Sequence, residues 1–219
     1  MTDFTPRYLA DYQTPAFKIN TVNLTIELDD HQTKIISKLA IQRLDANCYE
    51  LLLDGEQLTL KSLCLNEQPL SLAHYQVNDS HLQISLENLL PDLLTDTDEF
   101  TLTIETEINP TTNTALEGLF KSGDVFCTQC EAEGFRRITY YLDRPDVMAV
   151  FTTKIIADKT LYPYLLSNGN NVESGELNNG KHFVVWHDPY PKPCYLFALV
   201  AGDFDVLRDN FSRKSGNDV

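Results

Sequence analysis

From Ile19 the chain alternates apolar and polar positions with the two-residue period of a strand. Val22, Leu24, Ile26 and Leu28 fall on one side and Asn23, Thr25 and Glu27 on the other, until Asp29-Asp30 marks a turn. The next run keeps Ile35, Leu39 and Ile41 on one face. Further strands are predicted over 49–53, 58–63, 81–86 and 100–108, separated by turn punctuation such as Asp54-Gly55 and Asn78-Asp79. Between them the acidic stretch 87–99, broken by Pro91, reads as a solvated connection.

The pattern changes at Asn109-Pro110 and returns to strand signals over 149–156, 165–167, 181–186 and 195–201. Asn168-Gly169 and Asn179-Gly180 are expected to close hairpins, because Asn-Gly suits the turns that match strand twist. One short helix is expected to start near Pro145-Asp146, where proline and an acidic residue suit a helix N-terminus. Many short strands at short intervals predict a mostly β fold: antiparallel, saddle-like sheets or a sandwich, with one or two short helices. Residues 1–17, with Pro6 and Pro15, read as an extended arm, 18–208 as the β-rich domain, and the polar residues 209–219 as a domain boundary.

Composition narrows the classes of function. The 219 residues carry a formal charge of −15, which disfavours nucleic acid and anionic membranes, since both are bound through clustered Lys and Arg. No apolar run is long enough to span a bilayer, and the first twenty residues lack a basic start followed by an apolar stretch. Five cysteines, Cys48, Cys64, Cys127, Cys130 and Cys194, form no disulfide framework, so a soluble cytoplasmic protein is expected.

Little isolated chemistry is visible. His31, His74, His81, His182 and His187 supply no His-Glu-x-x-His pair, and no phosphate-binding or dinucleotide fingerprint occurs. Cys127 and Cys130 form a lone Cys-x-x-Cys, for which two partly buried thiols in a loop are the favoured reading over zinc or redox chemistry. The densest segment is 117–146, where Gln129, Glu131, Glu133, Arg136, Arg137, Asp143, Arg144 and Asp146 lie among aromatics. Such a group forms either a structural ion-pair network or a binding site.

Residues 114–151, with 152–170 and 188–209, resemble the N-terminal domain of the bacterial aminopeptidase N (alanyl aminopeptidase) group of zinc metallopeptidases. The similarity is carried by Gln-x-Glu-x-x-x-x-Arg at 129–136, Asp-Arg-Pro at 143–145 and Lys-Pro-Cys-Tyr-Leu-Phe-Ala at 192–198. It implies a β-rich domain that packs on a thermolysin-like catalytic domain and forms one wall of its pocket. It also implies that Glu131 grips the free α-amino group of a peptide substrate and that Gln129 lines the pocket for the first side chain. An ammonium group paired with carboxylates in a partly desolvated pocket separates a chain end from a chain interior. Glu133, Arg136, Arg137 and Asp143 take a structural role, their ion pairs keeping Glu131 in place.

The Gly-Ala-Met-Glu-Asn motif, the zinc-binding His-Glu-x-x-His helix and the catalytic tyrosine of that family are not in this sequence. The resemblance therefore implies zinc only in a longer enzyme, removing Ala and other small or basic residues from peptides. No metal ligand, catalytic group or hydrolysis is expected from these 219 residues themselves. Two alternatives stay open: a stand-alone β-sandwich that binds a cationic partner through its acidic surface, and a zinc or redox protein built on Cys127 and Cys130.

Overall fold

The structure is a computed structural model that describes residues 8–87, 89, 98–212 and 214–216. The described residues contain strands and 3-10 turns and no α-helix. The largest sheet has eight strands in the order β13 (Asn170–Glu176), β14 (Lys181–Pro193), β11 (Met148–Asp158), β1 (Phe17–Glu27), β2 (Thr33–Arg43), β8 (Glu99–Ile108), β4 (Thr59–Leu65) and β5 (Gln68–Pro69). A second sheet orders β12 (Tyr164–Ser167), β15 (Leu199–Gly202), β10 (Val125–Gln129) and β9 (Gly118–Ser122). A third orders β3 (Glu50–Asp54), β7 (His81–Ser85) and β6 (Tyr75–Val77).

The two-residue period builds the core directly. Val22 lies across from Leu39 on one side and Phe151 on the other, and Leu39 lies across from Leu102, so one face of the large sheet is a continuous apolar layer. Leu51, Leu53, Leu82 and Ile84 from the third sheet, and Leu119, Phe126 and Leu199 from the second, join the same buried cluster. The opposite face of the large sheet is polar and carries ion pairs such as Lys34 to Glu105 at 2.8 Å. The phase of β1 changes between Ile19 and Val22, both buried, because the register slips there and the bulge returns the apolar side chains to the core.

Four expectations are corrected. First, β1 and β11 run parallel, with Val22 paired to Phe151. β2 already occupies the other edge of β1, and the long intervening chain supplies the crossover that a parallel pair requires. Second, Pro145-Asp146 forms a turn closed by the Val147 N–H on the Arg144 carbonyl, 3.2 Å, rather than a helix. Only four residues separate the buried Asp143 from β11, too few for a helical nucleus. Third, Asn168-Gly169 joins two different sheets, since β12 pairs with β15 while β13 pairs with β14. The hairpin is closed only at Asn179-Gly180. Fourth, the strand expected over 195–201 opens with a 3-10 turn, Cys194–Leu196, before β15.

The connection over 87–99 lies mostly outside the described residues, as do residues 1–7 and 217–219. Residues 8–16 run beside the 143–146 turn, with the Tyr12 hydroxyl donating to Asp146 at 2.9 Å and Arg144 donating to the Gln13 carbonyl at 2.9 Å. Among the described residues no helix is long and apolar enough to cross a membrane.

Candidate functional site: the loop after strand β10

β10 is an inner strand of the four-stranded sheet, held by β9 on one side and β15 on the other. It delivers Gln129 to the surface at its last position, opposite Gly118. Strand alternation then sends Cys130 inward, where it is buried. The chain has left the sheet by this point, and Glu131, Ala132 and Glu133 are all exposed. Gly134 turns the chain back into the core and the 3-10 turn Phe135–Arg137 follows.

Several ties fix the path of this loop. The Gly134 N–H donates to the Cys130 carbonyl at 2.9 Å, and the Gln129 side-chain amide donates to the Glu131 carbonyl at 3.1 Å. The Glu131–Ala132 peptide is cis. Gly134 packs so closely that a Cβ there would collide with the Gln129 carbonyl and reach 3.0 Å from the Gly118 nitrogen. Gly118 itself has φ +72, and a Cβ on it would meet that of Arg137 at 2.6 Å. Glycine is needed at both positions, for space at Gly134 and for the left-handed backbone at Gly118.

Beneath the loop lies an ion network. The side chain of Asp143 is 1% exposed. Its Oδ2 accepts from the Arg136 backbone N–H at 3.1 Å and from Arg136 Nε at 2.9 Å, and its Oδ1 accepts from the Cys194 thiol at 3.0 Å. Arg136 Nη1 reaches outward to Glu133 Oε2 at 3.4 Å. Arg137 turns the other way, to Glu56 at 2.7 Å, Gln57 at 2.7 Å and Glu117 at 3.2 Å. Asp54 accepts the Asp143 backbone N–H at 3.1 Å and exchanges two backbone hydrogen bonds with Tyr141.

The electrostatics follow from burial and pairing. Burial works against the Arg136 charge, but the hydrogen bond to Asp143 and the fields of Asp54, Asp143 and Glu133 outweigh it and leave its pKa above the usual value. Burial raises the Asp54 carboxyl, opposed by the charge of Arg136. Burial also pushes the thiols of Cys130 and Cys194 up, with a further contribution from Asp143 at each, and burial alone raises that of Cys127. High thiol pKa values suit structural cysteines and not reactive ones. A ring cluster supports the network from below: Phe135 stands edge-on to Tyr141 at 4.9 Å, to Phe197 at 5.3 Å and to Phe151 at 5.9 Å.

Gln129 and Glu131, singled out in the sequence, thus lie on one exposed, braced loop, and Glu133, Arg136 and Asp143 form the chain that braces it. Arg144 and Asp146 stand apart, paired with each other at 2.7 Å against residues 12–13. Cys127 lies on β10 itself and not in a loop. The partners missed in the sequence are Asp54, Glu56, Gln57 and Cys194. The Asp54-Gly55 turn signal marked the first of them and the Lys-Pro-Cys run the last, but nothing local linked either to the loop.

Among the described residues no group of three or more His, Cys, Asp or Glu side chains is placed to hold a metal ion. The donor set therefore does not fit zinc. The arrangement can present an oxygen-rich, rigidly based carboxylate to a cation.

The Peptidase M1 N-terminal domain profile matches residues 12–196. Aminopeptidase N of Escherichia coli (strain K12) is 54% identical over 213 residues, which are 97% of this chain and 23% of that protein. A crystal structure of Legionella pneumophila aminopeptidase A in complex with aspartic acid superposes with a TM-score of 0.87 at 34% identity, over 97% of this chain and 24% of that one. An M1 zinc metallopeptidase mutant of Deinococcus radiodurans bound to a Tyr-Ser-Ala substrate has a TM-score of 0.76 at 15% identity, over 93% of this chain and 46% of that one, and shows the shared fold alone. The chain spans about a quarter of the length of the first two proteins. With its three sheets, its Gln129-to-Arg136 loop and a profile match over most of its length, the chain belongs to the Peptidase M1 N-terminal domain family.

Proposed function

We propose that this chain is the amine-recognition wall of a zinc aminopeptidase that removes N-terminal residues, Ala and other small or basic ones, from peptides. Glu131 pairs with the substrate α-ammonium and Gln129 lines the pocket for the first side chain. The observation that carries this reading is the Glu131 loop. Glu131 is exposed while its own backbone carbonyl, its neighbours and the turn behind it are tied down. Among the described residues no hydrogen bond or ion pair uses up its carboxylate. A preorganised carboxylate with free acceptor capacity is what recognition of an ammonium group requires.

In this reading residues 1–17 precede the domain, 18–208 form it, and 209–219 lead to a catalytic domain that carries the zinc. No step within this chain runs through the metal. Five unpaired cysteines support a reducing, cytoplasmic setting.

The test is Glu131→Gln in the full-length enzyme. Loss of the charge should lower kcat/KM for an alanyl anilide by about a hundredfold, as expected when a charged partner is removed from a recognition site. Unchanged kinetics would sink the assignment of Glu131.

A further inference from the structure

We propose that Arg136 is a positioning residue for amine recognition, transmitting the fixed position of buried Asp143 through Glu133 to the loop that carries Glu131. This rests on the reading of Glu131 above and adds to it the element that sets where the carboxylate stands.

Arg136 is anchored to Asp143 at three points: its backbone N–H at 3.1 Å, its Nε at 2.9 Å, and its Nη2 on the Asp143 carbonyl at 3.3 Å. A guanidinium held along its Nε–Nη2 edge cannot rotate without breaking both of those contacts together, so its remaining nitrogen points in a set direction. That nitrogen, Nη1, meets Glu133 Oε2 at 3.4 Å, and Glu133 sits two residues beyond Glu131 on the exposed part of the loop.

Asp143 is in turn held from several sides. Its Oδ1 accepts from Cys194, its backbone N–H is held by Asp54, and its side chain is 1% exposed. The loop is also secured at its two ends, by the Gly134 N–H on the Cys130 carbonyl and by the Gln129 amide on the Glu131 carbonyl. Of the two adjacent arginines Arg136 links the buried carboxyl to the exposed segment: its Nη1 is nearer Glu133 than Glu56, which lies 4.0 Å away, whereas Arg137 points to Glu56, Gln57 and Glu117. A displacement of about 1 Å at such a recognition group suffices for a large loss, which gives the brace a functional consequence.

The experiment uses the full-length enzyme with Arg136→Gln, Glu133→Gln, Glu131→Gln and the Arg136→Gln/Glu131→Gln pair. Each is assayed for KM and kcat on an alanyl anilide and for binding of a competitive inhibitor that lacks the α-amine. Arg136→Gln should raise KM about tenfold or more while kcat changes less than about threefold, and leave binding of the amine-free inhibitor at the wild-type level. The double variant should be no worse than Glu131→Gln, because both substitutions remove the same contact. A purely structural role for Arg136 would instead weaken both ligands and add to the effect of Glu131→Gln, which overturns the proposal.

Glu133→Gln removes the charge that faces Arg136 and leaves the buried pair intact, so it keeps the test open if Arg136→Gln does not fold. It should raise KM several-fold in the same direction, and a wild-type KM there overturns the proposal. If Glu131→Gln weakens the substrate while Arg136→Gln and Glu133→Gln do not, positioning fails and the role of Glu131 stands. If Glu131→Gln itself is silent, the reading of Glu131 fails and this inference falls with it.

Discussion

The thiol of Cys194 donates to Oδ1 of Asp143 at 3.0 Å, across 51 residues of sequence, while Arg136 occupies Oδ2 of the same carboxyl group. A carboxyl this deeply buried is tolerable only because each oxygen has a donor and a guanidinium faces it.

Removing the acid should therefore cost far more than removing the thiol. Asp143→Ala strands the half-buried Arg136 charge and should lower unfolding stability by about 3–5 kcal/mol. Cys194→Ala removes one neutral donor and should cost about 1–3 kcal/mol. Cys194→Ser keeps a donor and should cost less than the alanine variant. Denaturant titration of the three variants checks the order, and near-equal losses for Asp143→Ala and Cys194→Ala would contradict it.

Gly134→Ala inserts a methyl group where the Gln129 carbonyl already sits. Overpacking of this kind costs about 1–3 kcal/mol, and for a chain of this size should lower Tm by roughly 2–12 °C. Gly123→Ala is a control for the loss of glycine, because its Cβ would meet nothing within 4 Å, although φ +60 still penalises it. The collision at Gly134, unlike the strain at Gly123, should also perturb amide exchange across 129–137.

Acid should loosen residues 8–16 from the 143–146 turn. The hydrogen bond from Arg144 holds the Asp146 carboxyl below its usual value of 3.8, burial opposes this, and Tyr12 adds to the lowering. Because the folded-state value is the depressed one, this stabilisation is present above the unfolded value and is lost as pH falls through the folded one. Amide exchange of 8–16, corrected for intrinsic rate, should thus rise below about pH 3.8 in the native chain. In Asp146→Ala it should already be fast at pH 6, and an unchanged rate in that variant would refute the tie.

The isolated 219-residue chain should take up no stoichiometric zinc and hydrolyse no alanyl anilide, given the absence of a ligand cluster among its described residues. Metal analysis after dialysis and a turnover assay with added zinc check this. One tightly held equivalent would revive a Cys127 and Cys130 site.

Much of the architecture was legible because burial is written locally. Val22, Leu24, Ile26, Ile35, Leu39 and Ile41 announced their strands and their buried face by period alone, and all are in the core. β9 and β10 were not legible as strands. Phe120, Lys121, Thr128 and Gln129 mix polarity, and these short strands are secured by their neighbours more than by their own pattern. The Pro145-Asp146 signal misled because a proline and an acid also suit a turn, and only the nearness of buried Asp143 to β11 excluded the helix.

The two Asn-Gly turns show where local information ends. Both dipeptides reverse the chain, but Asn179-Gly180 joins strands that pair, whereas Asn168-Gly169 joins strands that leave for different sheets. The strand-rich class, the buried faces and the Gln129-to-Arg136 motif were readable along the chain, because side-chain period and residue type are properties of neighbouring positions. Tertiary structure alone decided that β1 lies parallel to β11, and that Asp54 and Cys194 meet Asp143 beneath the loop. Those pairings depend on where long connections bring distant segments together, and no local pattern records which of several available partners closes a buried charge.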